Sequence, residues 1–374
     1  VLKRVIICLL LMIIIMPSAN ALNLNAQSAV AIDSLTGRIL CEQNANMRLG
    51  MASTTKIMTG ILAIEKGNMQ DIVTISKHAS YVEGSSIYLK ENEKVSLETL
   101  VYGLLLKSGN DAAIAIAEHI SGSESEFVKL MNDKAKELGL TNTNFANPHG
   151  LYDQNHYTTA YELALIGRYA MNNPVFANIV NSTKYIENPP EQRDRHEIFN
   201  ANKLISMYDE ADGIKPGYTP ETGRTLVGSA TKNGWRVITV TLNCKDDWNE
   251  HKLMFDYSFQ NYTLQKIAKK GQSIGTYRVA GGVYNEVGVI LSEDVYAPIK
   301  NGESAKGKID AQQMKLKAPV QCGQFVGQAT VNLENGFKST AKLCTNSEVK
   351  AKSKSMLENI LGLIIALFGV KNNG

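Results

Sequence analysis

Residues 51 to 64 read MASTTKIMTGILAI, with a serine three positions before a lysine. At helical spacing Ser53 and Lys56 share one face, about one turn apart, and their side chains can touch. Ile57, Ile61 and Ile64, flanked by Met58 and Leu62, form an apolar stripe that would bury this helix, and Gly67 stops it. A lysine at the edge of a core loses hydration and holds its proton less firmly, so Lys56 is a candidate base and Ser53 a candidate nucleophile. The bland alternative is a serine cap followed by a solvated lysine. A bare S-x-x-K does not decide between them.

Two further segments bear on the choice. LLLKSGNDAA sets Ser108, Gly109 and Asn110 in the break between two helices, and DGIKPGYT sets Lys215, Pro216 and Gly217 on a short strand-like piece. Taken singly, the first is an ordinary loop and the second a turn with Lys215 on a solvated edge. Taken together, S-x-x-K, S-x-N and K-x-G follow one another on a helix, an interhelical loop and a strand.

These residues need elements to position them. AVAIDSLTGRILCE, residues 29 to 42, alternates around a turn and reads as a β-hairpin; TLVGSATKNGWRVITVTLN, residues 225 to 243, reads as another, turning at Asn233-Gly234. Between them the chain is helical. Ser96 caps a helix to about Leu106, AAIAIAEHI forms a second closed by Gly122, and Phe127 to Leu138 stripe a third ending at Gly139. Thr159 and Glu162 form a T-x-x-E capping box for YELALIGRYAM, and a last helix covers about 249 to 261. Hairpins from both ends of this region predict one antiparallel sheet with helices packed on it, an α+β fold. From 263 to 348 short β-like pieces separated by glycines predict a small all-β domain.

The chain opens with Lys3 and Arg4, an apolar run from Val5 to Met16, and Ala19-Asn20-Ala21, the order of a secretory signal peptide over residues 1–21. Two of the 39 basic residues leave with it, so 37 face 36 acidic ones, a balance that argues against a nucleic-acid partner. Cys41, Cys244, Cys322 and Cys344 are too scattered for a zinc site; a Cys322–Cys344 disulfide is open to an exported chain, and spacing leaves it undecided. No histidine falls in a zinc-protease or nucleophile-elbow motif, and neither metal nor cofactor is expected. In the closing segment, residues 349–374, Lys350, Lys352 and Lys354 precede an apolar-faced stretch from Met356 to Val370. As a helix it would reach about 22 Å, short of the ~30 Å hydrocarbon core, which predicts an interfacial anchor.

The three motifs in this order are the active-serine pattern of penicillin-binding proteins and serine β-lactamases. From about Asn25 onward the chain resembles a low-molecular-weight penicillin-binding protein, a serine-type D-alanyl-D-alanine carboxypeptidase; the likeness extends to GSSIYLKENEKVSLETLVYGLLLKSGNDAAIAIAEHISGS, ELGLTNTNFANPHGL and HYTTAYELALIGRYA. The resemblance implies a β-lactamase/transpeptidase-like catalytic domain over 22–262, a small all-β domain over 263–348, peptidoglycan stem peptides as substrate and β-lactams as inhibitors. It assigns Ser53 as the acylated nucleophile, Lys56 as its base with Lys215 as the neighbouring cation, and Ser108 as proton relay. It assigns Asn110 to the substrate amide, Lys215 and Gly217 to the carboxylate-binding strand, and the backbone N–H groups of Ser53 and Tyr218 to the oxyanion hole. It implies an exported enzyme on the outer face of the cytoplasmic membrane. One departure stands out: the family has K-T-G, whereas Pro216 offers neither hydroxyl nor N–H, and Thr219 is the candidate to compensate.

Two rival readings remain at the sequence level. A class A β-lactamase deacylates with a glutamate near E-x-x-L-N, and the nearest match, ELALI, holds Glu162, which the capping box explains. A catalytically weak peptidoglycan-binding homologue is suggested by Pro216 and opposed by intact Ser53, Lys56, Ser108 and Asn110.

Overall fold

The computed structural model describes residues 22–189 and 195–353. The expected signal peptide and most of the expected anchor lie outside these residues. The chain divides into two compact units, one ending at Tyr262 and one beginning at Thr263.

The first unit is built on a five-stranded antiparallel sheet. Strands β1 (Ser28–Asp33), β2 (Ile39–Gln43), β3 (Ala211–Thr219), β4 (Gly223–Lys232) and β5 (Trp235–Leu242) run in the order β2-β1-β5-β4-β3. The two predicted hairpins are therefore joined edge to edge, Val30 facing Val240 across the β1–β5 pair. Every residue of β1 is buried because helices cover both faces of the sheet. Val30, Ile32, Val227, Ile238 and Val240 point into one continuous core with Ile57, Ile61 and Leu62 of helix α1 (Lys56–Lys66). Helix α1 is buried all round from Lys56 to Ala63, wider than a one-sided stripe, as a helix at the centre of a helical layer must be.

Helix α2 (Leu97–Tyr102) starts as expected, with Ser96 Oγ accepting from the Thr99 N–H, but it ends early. Residues Gly103–Lys107 form a wider π-type turn that halts at Ser108 in the left-handed region, with φ of 69°. Helix α3 (Asn110–Ser121) follows, closed by Gly122, then α4 (Glu124–Glu137). Helix α5 (Ala160–Met171) carries a correction. Thr159 Oγ1 accepts from the Glu162 N–H, but the Glu162 carboxylate does not return the bond. It accepts instead from the N–H groups of Thr141 and Asn142, both at 2.9 Å, and from Thr143 Oγ1 at 2.6 Å. Half of the capping box is present, and the acid fastens a loop. Helix α6 (Asp247–Asn261) covers the far face of the sheet.

The second unit is all β. Its largest sheet has six strands, in the order 307–311, 325–333, 338–345, 286–291, 273–280 and 315–317, around a core that includes Val289, Leu291, Val331 and Leu343. Val349 bridges to Val320 and Ala351 to Gly282, so the segment from 349 to 351, expected to belong to the anchor, is paired into this unit. All four described cysteines are thiols, and Cys322 Sγ lies 3.4 Å from the Asn346 carbonyl oxygen.

Candidate active site

Ser53 lies in one 3₁₀ turn, Ala52–Thr55, that runs directly into α1. Ala52 has a φ of 46°, a left-handed conformation that costs an L-residue about 1–2 kcal/mol. Both non-glycine residues so strained at this site, Ala52 and Ser108, adjoin or form a motif. Gly150 lies against the same turn: a Cβ there would fall 2.0 Å from the Ala52 oxygen, so glycine alone admits the approach.

Lys56 is fully buried. Its Nζ donates to Ser53 Oγ at 3.0 Å, to Asn110 Oδ1 at 2.7 Å and to the His149 carbonyl oxygen at 2.5 Å. Three acceptors match the three hydrogens of an ammonium; a neutral amine has two hydrogens and a lone pair, which can face the Ser53 hydroxyl. Burial moves the Lys56 pKa well below that of an ordinary lysine, Lys215 adds to the effect, and Asp111 opposes it. A lysine able to lose its proton thus touches a serine hydroxyl, a candidate base beside a candidate nucleophile.

Lys215 is not on a solvated edge. It is fully buried on β3, burial pushes its pKa down to about 7, and its Nζ donates to the Pro216 carbonyl at 3.1 Å. Gly217 lies two residues on, on the same face of the strand. A Cβ there would sit 2.9 Å from Ser53 N and 2.5 Å from Thr225 Oγ1, so glycine lets the Ser53 turn rest on the strand. Strand β3 is an edge strand, paired with β4 alone in the sheet. A proline fits an edge strand where its missing N–H would face away from the neighbour. By the two-residue alternation of a strand, the Tyr218 N–H then also faces off the sheet edge, the direction an oxyanion donor needs.

Ser108 and Asn110 arrive from the break between α2 and α3. The Ser108 hydroxyl is buried and has no hydrogen-bond partner among the described residues, an arrangement that costs about 1–3 kcal/mol unless a further group satisfies it. Asn110 differs from expectation. Its Oδ1 is taken by Lys56 and its Nδ2 donates to the Glu83 carbonyl at 2.6 Å, so one amide hydrogen remains for a substrate. Thr219 Oγ1 accepts from the Thr222 N–H at 3.2 Å and pairs with the Thr222 hydroxyl at 3.1 Å, so the hydroxyl proposed to replace that of K-T-G also shapes a turn.

Sequence reasoning missed two supports. The His149 carbonyl holds Lys56 through a backbone atom, for which side-chain type gives no signal. Asp111 accepts from Ser86 Oγ and from the N–H groups of Ile87 and Leu89, fixing the loop that forms one side of the site; an acid in the first turn of α3 was the available clue. Burial pushes His149 and His156 down to about 3 and about 4, which leaves them weakly basic, and both ring nitrogens of His156 are engaged, with Thr55 Oγ1 and with the Ala146 N–H. Among the described residues no cluster of side chains could hold a metal ion. Glu162, fastened to the 141–143 loop, is not placed as a deacylating base.

A cleft of about 470 Å³ opens on Ser53, lined by residues 83–85, Asn110, 149–152 and 218–221. A larger groove of about 1010 Å³ in the second unit, between residues 267 and 334, is lined by none of the motif residues.

Comparison with known proteins agrees with this geometry. A family model described as D-alanyl-D-alanine carboxypeptidase matches residues 15–246, and one described as the C-terminal domain of penicillin-binding protein 5 matches residues 262–351. The chain is 36% identical over 337 residues to D-alanyl-D-alanine carboxypeptidase DacF of Bacillus subtilis, covering 87% of this chain and 86% of that one. The crystal structure of penicillin-binding protein 5 from Haemophilus influenzae superposes with a TM-score of 0.71 at 31% identity, covering 88% of this chain and 98% of the other. A D-alanyl-D-alanine carboxypeptidase from Mycobacterium tuberculosis superposes with a TM-score of 0.62 at 30% identity, covering 66% of this chain and 95% of the other. With a buried lysine touching a serine on a transpeptidase-type α+β scaffold, the chain belongs to the low-molecular-weight penicillin-binding proteins, the serine D-alanyl-D-alanine carboxypeptidases.

Proposed function

We propose that Ser53 carries the acyl-enzyme of this carboxypeptidase, and that the Lys56 amine, in contact with it at 3.0 Å and discharged by burial, is the base. That contact is the observation on which the assignment stands. A stem peptide ending in D-Ala-D-Ala adds along the open edge of β3 as an extra strand would. Neutral Lys56 takes the Ser53 proton as Oγ attacks the carbonyl between the two D-alanines. Charge then gathers on the carbonyl oxygen, faced by the N–H groups of Ser53 and Tyr218. The C–N bond breaks, the leaving amine receives its proton through Ser108, and D-alanine departs. Water attacks the ester with Lys56 again as base and restores Ser53. Gly217 keeps β3 against the Ser53 turn, Asn110 holds Lys56 and offers its last amide hydrogen to the substrate, and the charged form of Lys215 attracts the terminal carboxylate. A β-lactam acylates the same oxygen because its strained amide occupies the position of the scissile bond.

The proposal extends to location. Lys3 and Arg4 before an apolar run, and three lysines before the closing apolar segment, support export followed by attachment to the outer face of the cytoplasmic membrane. No helix among the described residues is long and apolar enough to cross a membrane.

Ser53→Ala removes one oxygen and tests the central assignment. The variant is expected to bind no fluorescent penicillin and release no D-alanine from a pentapeptide while unfolding at the wild-type midpoint. An adduct found by mass spectrometry on another residue overturns it.

A further inference from the structure

The charged side chains that line the cleft at Ser53 are both acidic. Glu83 enters it from the segment whose carbonyl Asn110 holds, and Glu221 from the turn between β3 and β4. Both glutamates are exposed, and neither forms an ion pair with a described residue. Tyr152 and Tyr218, 59% and 63% exposed, line the same cleft. Among the described residues no lysine or arginine lines it, and the two lysines of the motifs, Lys56 and Lys215, are fully buried. The surrounding unit leans the same way, with 28 acidic against 22 basic side chains between residues 22 and 262.

Two unpaired carboxylates and two exposed aromatic rings lining one cleft attract a cation, both by steering and by contact with the ring faces. The terminal D-alanines carry no cation. The residue before them in a stem peptide is a diamino acid, whose side-chain amine is an ammonium until a crosslink converts it to an amide.

We propose that the cleft selects stem peptides in which this amine is free, the ammonium lying between Glu83 and Glu221 against Tyr152 and Tyr218. The inference rests on Ser53 as the acylated residue, since that places the peptide in this cleft. Its consequence is directional: the enzyme trims uncrosslinked stems ahead of stems whose amine has been acylated.

The test compares Nα-acetyl-L-Lys-D-Ala-D-Ala with its Nα,Nε-diacetyl analogue, which differ in one charge. At low ionic strength wild-type enzyme is expected to favour the free amine about fivefold in kcat/KM, chiefly through KM, a scale set by two exposed ion pairs. Raising the salt to about 1 M, where the screening length is ~3 Å, shrinks the preference to under about twofold. In the Glu83→Gln, Glu221→Gln double variant the ratio of the two kcat/KM values falls toward one at low salt as well. Equal kcat/KM for the two peptides in wild type, or a preference that survives the double substitution, overturns the proposal, as does loss of both activities in proportion. The salt titration uses wild-type enzyme alone, so it decides the matter even where the double variant fails to fold. Ser53→Ala run alongside separates the two levels: peptide turnover surviving in that variant removes the acyl-enzyme assignment, whereas turnover abolished with no charge preference removes the amine site alone.

Discussion

The two units of this chain bury different things. In the first, the interior holds Lys56, Lys215, Asp111, Glu162, Asp247 and three histidines beside its aliphatic core; in the second, Thr345 is the buried polar residue among those described. Both histidine and tryptophan are confined to the first unit. Their surfaces differ as well, since the acidic excess of the first is answered by 13 basic against seven acidic residues between 263 and 353. A buried ionisable group is expensive, and a fold keeps it where a reaction or a network uses it. The second unit, with an ordinary apolar β core, has the composition of a support.

The sharpest way to break that contrast is to keep the buried charge but forbid its discharge. Lys56→Arg places a guanidinium, which stays protonated, where the proposed mechanism needs an amine to act as a base. Penicillin acylation and D-alanine release are expected to fall about 10²- to 10⁴-fold, the usual contribution of a positioned base. Stopped-flow labelling near the wild-type rate would take Lys56 out of the mechanism.

A second test uses the histidines. His149, His156 and His251 are held neutral, their pKa values lowered to about 3, 4 and 3 mainly by burial, while in the unfolded chain each titrates near 6.5. Because the folded values are the lower ones, the unfolded state gains protons first as pH falls. Stability is complete above about 6.5 and declines from there toward 3 to 4. At about pH 4.5 each ring contributes roughly 3 kcal/mol of destabilisation. Trp235 and Trp248 both lie in the first unit, so their fluorescence follows that unit alone. Its thermal midpoint is expected to drop by about 10 °C or more between about pH 7 and 4.5. A midpoint steady across that range would remove these histidines from the balance.

What could be read in advance follows the same division. Ser53, Lys56, Ser108, Asn110 and Lys215 could be picked out as candidates because each is a side-chain type set at a spacing, and the two hairpins because alternation and Asn233-Gly234 mark them. The supports of the site could not. The hold of the His149 carbonyl on Lys56 and the service of Asn110 to Lys56 and Glu83 arise from backbone atoms and long-range packing that no local pattern carries. Glu162 shows a local rule giving way to tertiary context: its N–H obeys the capping box and its carboxylate serves residues 141–143. For Lys215 the solvated edge is only the bland alternative, and its full burial is not readable locally because one strand cannot announce the turn packed over it. Pairing of 349–351 with Val320 and Gly282 was hidden for a similar reason, since its partners lie far back in the chain.

Pro216 tests how finely the edge strand is tuned. Pro216→Thr restores a hydroxyl and a backbone N–H on the open edge of β3 and suits a strand at least as well as proline does. Turnover of a D-Ala-D-Ala peptide is expected to stay level or rise by up to about threefold through KM, a change of roughly 0.6 kcal/mol. A clear fall would mean that the chain binds the substrate carboxylate in a way suited to proline, and the role given to Lys215 would weaken with it.

The smallest effect is expected from the largest deletion. If the second unit is a support, ending the chain after Tyr262 should leave the rate of penicillin acylation within about twofold of wild type, a difference of roughly 0.4 kcal/mol in the barrier. The cut keeps helix α6 whole and retains the Tyr262 hydroxyl, which donates to the Leu40 carbonyl at 2.9 Å within the first unit. The match to the Mycobacterium tuberculosis carboxypeptidase, which covers 95% of that protein with 66% of this chain, indicates that a unit of this size can stand alone. A shorter cut, after Ser353, spares the pairing of residues 349–351 and removes only the closing apolar segment. It should acylate at the same rate and move the enzyme from the membrane to the soluble fraction. Slow acylation in the first truncation would show that the second unit shapes the cleft, and the contrast drawn from their interiors would fail. Membrane sedimentation of the second would place the attachment elsewhere in the chain.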